Sequence, residues 1–104
     1  MIFLAQVTFE HDGDSGEHLA LSYQGACGWM AIDADDAKDA VDVLRKSLAA
    51  DKLKLVEAER IHVVGGPQQA ASLDDHLSDN MREWEPGRRT VWGTIHCYVG
   101  VRRA

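Results

Sequence analysis

The side chains able to do chemistry fall into a few short groups. The segment His11-Asp12-Gly13-Asp14-Ser15-Gly16-Glu17-His18 holds two histidines and three carboxylates. Oxygen donors suit hard cations and imidazole suits transition metals. Asp12-x-Asp14 matches the opening of a calcium loop, but Gly16 stands where a third oxygen donor belongs, and Tyr23 holds the twelfth position in place of glutamate. Two glycines among Asp and Ser make this a solvated turn. Gly65-Gly66-Pro67 lacks the longer glycine pattern and the basic residue of a phosphate loop, and also reads as a turn. His96 and Cys97 are consecutive in a strand pattern and point to opposite faces, so they cannot act as a base and nucleophile pair. Cys27 and Cys97 lie far apart, outside any zinc or redox spacing, and read as buried free thiols, with Cys97 in the core. No catalytic, cofactor or metal pattern emerges. His96 is the one histidine worth testing as an acid, base or hydrogen-bonding group.

The elements that position these residues follow from periodicity. Residues 2–10 alternate, with Phe3, Ala5, Val7 and Phe9 on one side and Ile2, Leu4, Gln6 and Thr8 on the other. The second set is half apolar and half polar. After the 11–18 turn, residues 19–23 and 29–32 form the second arm of a hairpin. Gln24-Gly25-Ala26-Cys27-Gly28 interrupts that arm as a bulge or turn. Ala37, Ala40, Val41, Leu44 and Leu48 form the stripe of a helix over 34–50, with Asp33 as its N-cap. Asp33, Asp35, Asp36, Asp39 and Asp42 load the positive end of that helix; a docking strip is the other reading of the run. Residues 54–64 form a strand. The imperfect alternation around Glu57 and Glu59 requires either a bulge or an edge position. Ser72 caps a shorter helix carrying Leu73, Leu77, Met81 and Trp84, which Pro86-Gly87 terminates. The last strand runs over 90–101. It places Val91, Ile95, Cys97, Val99 and Val101 on one side and Trp92, Thr94, His96 and Tyr98 on the other. Arg88, Arg89, Arg102 and Arg103 bracket it and serve solubility and edge protection.

At 104 residues the chain suits a single α+β domain, 1–104, whose core needs no disulfide or metal. Its net charge of −6 weighs against nucleic acid and favours solubility or a basic partner. Met1 to Phe9 has no basic n-region, and no apolar run approaches the ~20 residues of a membrane helix. These features lead to the expectation of a cytoplasmic protein without a membrane or cofactor association.

The order β-β-α-β-α-β predicts a two-layer sandwich, a small, mostly antiparallel sheet with both helices on one face. Ferredoxin-like folds share that layering by analogy, although their usual order is βαββαβ. The second face of such a sheet is open, and it would carry Ile2, Leu4, Trp92, His96 and Tyr98, with Trp29 joining them if the interrupted arm keeps register. Exposed aromatics of this size mark contact surfaces. The reading is a small non-enzymatic binding or regulatory domain acting through protein contact, with itself as a homodimer or with another protein. An immunity-type acidic inhibitor of a basic partner is one version. The alternative is a small-molecule-binding protein or enzyme whose pocket on the open face uses His96, Tyr98 and Trp92.

Overall fold

The computed structural model describes residues 1–11 and 23–99. Four strands, β1 (Ile2–His11), β2 (Tyr23–Asp33), β3 (Leu53–Val64) and β4 (Thr90–Val99), form one antiparallel sheet in the order β3-β1-β2-β4. Helix α1 (Ala37–Ala50) joins β2 to β3. A 3-10 turn (Pro67–Gln69) and helix α2 (Asp75–Arg82) join β3 to β4. The β-β-α-β-α-β order and the α+β class are therefore as the periodicity predicts. The calcium-like residues of the 11–18 segment beyond His11, together with Val101, Arg102 and Arg103, lie outside the described residues.

The helices do not share a face. Phe3, Ala5, Val7 and Phe9 of β1 pack with Met30 and Ile32 of β2 against Ala40, Val43, Leu44 and Leu48 of α1. Leu4 and Ala31, from the alternate positions of the same strands, pack with Val64 and Ala70 against Leu77 and Met81 of α2. Neighbouring strand residues point to opposite faces, so α1 and α2 lie on opposite sides of the sheet. The expected two layers become three. The cause is the first half of the second set in β1. Ile2 and Leu4 are apolar and stand opposite Val64 of β3 and Ala31 of β2 respectively, so this end of the sheet is apolar on both faces and needs cover on both.

Several boundaries move for local reasons. β2 runs without a break to Asp33, whose N–H donates to the Arg89 carbonyl (2.8 Å), and α1 begins only at Ala37, so Asp33 is not its cap. Asp36 caps α1 instead, accepting the Asp39 N–H at 2.7 Å. Asp74, not Ser72, caps α2, accepting the Leu77 N–H at 3.0 Å. Leu73 lies before that helix and is exposed, and Trp84 lies beyond its end.

Both explanations considered for β3 apply. It is an edge strand, and its register against β1 shifts between Leu4 and Gln6 and again between Thr8 and Phe9. Arg60, at φ 56°, marks the first shift. The shifts place Leu53, Leu55, Ala58 and Ile61 against the α1 core and turn the charged residues away. In β4 the register against β2 shifts between Gly28 and Met30, where Gly93 and Thr94 together oppose Trp29. A second one-residue shift falls between Tyr23 and Gly25, at the start of the segment where the glycines predict a bulge. Gly28 is required at the β4 bulge, because a Cβ there would meet the Thr94 carbonyl oxygen.

Candidate functional site

The Gly93–Thr94 bulge decides which side chains share a surface. Before it, Val91 faces α2 and Trp92 faces α1, where its ring meets Phe9 edge-on with centroids 5.1 Å apart. After it the parity is reset. Ile95 pairs with Gly28 and Cys97 with Ala26 on the α1 side, while His96 pairs with Cys27 on the α2 side. Trp92 and His96 are thus on opposite faces, although even spacing in sequence places them together.

The predicted contact face consequently divides. Leu4 is fully buried beneath α2, and Ile2 packs beside it. Trp92 is half-buried in the α1 core. Trp29 is half-buried at the margin of the α2 core, its ring edge-on to His62 with centroids 6.1 Å apart. His96 is exposed. Tyr98 pairs with Gly25 in the backbone register, and its side chain lies outside the description. Cys97 is exposed at the far end of the α1 side, not in the core, and both cysteines are free.

The near half of the second face is held by a clamp. The Asp74 carboxylate caps α2 and also accepts the Thr94 N–H at 2.8 Å and the Thr94 hydroxyl at 3.2 Å. Partial burial pushes the Asp74 pKa up, but the bonds from Thr94, Leu77 and His76 outweigh it and hold the carboxyl below its usual range. Asn80 Nδ2 donates to the Trp92 carbonyl at 2.7 Å. Asp74 and Asn80 therefore satisfy backbone groups along β4 and fasten α2 to that strand. Gly93 lets the helix approach, since a Cβ there would lie 2.6 Å from Asp74 Oδ2 and 2.8 Å from Leu77 Cβ.

Beyond the clamp, no described element packs on the second face. Its side chains form transverse rows across the sheet. Glu59, Gln6 and Trp29 make one row; Glu57, Thr8, Cys27 and His96 make the next. Gln6, Thr8 and Cys27 are half-buried, and Glu57, Glu59, His62 and His96 are exposed. The division follows the second set in β1: α2 covers its apolar half, Ile2 and Leu4, and leaves its polar half, Gln6 and Thr8. That polarity was the available signal for Gln6 and Thr8. The pairing of Cys27 with His96 depends on register and leaves no local trace in the chain.

Three clefts lie elsewhere. One of about 390 Å³ lies between the end of α2 and β4, lined by Asn80, Glu83, Trp84, Arg88 and residues 90–92. Another, of about 280 Å³, lies between α1 and the start of β4, where Arg89 bonds Asp39 at 3.0 Å and Ser47 bonds Thr90 at 2.9 Å. The third, of about 310 Å³, is formed by Ile2, Asp33 and residues 84–88. None of these three includes His96. The Asp35 N–H, joined by Arg89, holds the Asp39 carboxyl below its usual range against an opposing effect of burial. Asp36 and Asp39 thus serve to start α1. Among the described residues, no group of three or more His, Cys, Asp or Glu side chains is gathered for a metal, and no helix is long and apolar enough to cross a membrane.

No family model, curated protein or solved structure matches this chain.

Proposed function

We propose that this is a binding domain that works through protein contact, using the half of the second sheet face that no described element covers, with a second copy of the chain as its occupant. One observation carries the reading. α2 and its preceding turn cover only the apolar end of that face, leaving a strip around Gln6, Thr8, Cys27, Trp29 and His96. The strip runs out to β4, whose outer edge α2 fastens at Trp92 and Thr94. The opposite edge, β3, is twice bulged and charged, features that block strand addition. A strip that ends on one usable edge suits two-fold pairing, in which the same patch serves both partners.

A basic protein partner is the second version, supported by the net charge of −6 and by Glu57 and Glu59 on the strip. A small-molecule pocket around His96 has less support, because none of the three clefts reaches it.

Sedimentation velocity from 1 to 100 micromolar, roughly the range that resolves a micromolar dimer, tests the reading. The expected result is concentration-dependent association that Thr8→Arg, in the middle of the strip, abolishes without loss of fold. A monomer throughout the range refutes the second copy as occupant. Association that Thr8→Arg leaves intact refutes the strip.

A further inference from the structure

The β4 bulge brings Cys27 and His96 directly opposite one another on the part of the second face that no described element covers. We propose that these two side chains form a ligand pair for a borderline or soft metal cation, with zinc(II) as the reference ion.

Three features support the pair. Residues directly opposite across antiparallel strands have Cβ atoms about 4.5–5.5 Å apart and project to the same side. A tetrahedral zinc with bonds of about 2.3 Å to sulfur and 2.0–2.1 Å to nitrogen needs the two donor atoms about 3.6 Å apart. A short cysteine and a longer histidine converge to that separation by rotating about their side-chain bonds, with no movement of the sheet. Second, both donors are reachable: Cys27 is half-buried and His96 exposed. Among the described residues, neither the thiol nor the ring has a hydrogen-bond or ion-pair partner that a metal would have to displace. Third, thiolate and imidazole favour zinc and copper(I) over the hard cations that carboxylates select.

Binding exchanges a proton for the metal. The Cys27 thiol loses its proton to solvent as the S–metal bond forms, and His96 donates a ring-nitrogen lone pair. The chain supplies two ligands, since no third His, Cys, Asp or Glu joins them among the described residues. Water or a partner molecule completes the sphere. The inference does not depend on what docks on the strip.

Cobalt(II) titration of the untagged, reduced protein tests it, because a thiolate ligand gives cobalt a near-ultraviolet charge-transfer band. Cys97, on the opposite side of the sheet, provides an internal control. The expected result is a saturable band that zinc displaces, that Cys97→Ser retains, that Cys27→Ser removes, and that His96→Ala shifts to more than about tenfold weaker binding, since even outer-shell partners are worth 10–100-fold. Far-ultraviolet circular dichroism confirms that each variant is folded, and Cys27→Ser is nearly isosteric. No band, a band lost in Cys97→Ser, or equal affinity for wild type and His96→Ala would overturn the assignment.

Discussion

Replacing Leu4 with alanine separates the three-layer arrangement from a sheet with one open face. Leu4 lies on the second face and is fully buried by Leu77, Met81, Val64 and Ala31. The substitution removes three carbons from a close-packed site. Their transfer from water is worth about 2.4 kcal/mol at ~0.8 kcal/mol per methylene, and the cavity left behind raises the range to about 2–5 kcal/mol. The whole domain is stable by roughly 5–15 kcal/mol, so the variant loses a large share of its stability. In urea, with a slope of about 1–3 kcal/mol per molar, the midpoint falls by on the order of 1–2 M. Thr8→Ala, two residues along the same side of β1 but beyond α2, costs less than about 1 kcal/mol, the span of strand propensity. Paired urea melts followed by circular dichroism give both values. A Leu4→Ala loss below about 0.5 kcal/mol, the ordinary surface result, would refute the placement of α2.

Other consequences are open to the same kind of measurement. Gly93→Ala forces its methyl against Asp74 and Leu77, and a loss of about 1–3 kcal/mol, typical of overpacking, is expected in a thermal or urea melt. The folded-state pKa of Asp74 is depressed, so its contribution is present above its unfolded pKa of about 3.9 and is lost as pH falls through the lower folded value. Asp74→Asn should therefore be less stable than wild type at pH 7 and close the gap in acid; a constant difference between pH 7 and pH 2 would contradict the clamp. Trp84→Phe deletes the indole N–H that donates to the Arg88 carbonyl at 2.7 Å, and about 0.5–1.5 kcal/mol should be lost in a melt.

Most of the elements were legible in the chain. The alternation of β1, the stripe of α1 and the β-branched end of β3 each fix an element, and the broken alternation around Glu57 and Glu59 signals the bulged edge that β3 becomes. The second helix was harder. Its stripe reads correctly through Leu77 and Met81, but periodicity does not say which face of the sheet a helix covers. The half-apolar second set of β1 held that information: Ile2 and Leu4 need cover, whereas Gln6 and Thr8 do not. The contact surface was least legible. One extra residue at Gly93–Thr94 reverses the parity of β4, moving Trp92 into the α1 core and leaving His96 on the other side. Gly93 is a visible glycine in a strand pattern, yet it reveals a bulge only once α2 and Gly28 show what must approach it.

The reaction rate of the Cys27 thiol with a small alkylating reagent, followed in a Cys97→Ser background as protein concentration is raised, tests the central claim most directly. Cys27 lies in the strip that α2 leaves uncovered and that a second copy is proposed to occupy. Fast reaction is expected in dilute protein, within about tenfold of the unfolded chain, with progressive protection as copies associate, following mass action. Slow reaction at every concentration would mean that the chain covers its own face, and fast reaction at every concentration would mean that no second copy docks there.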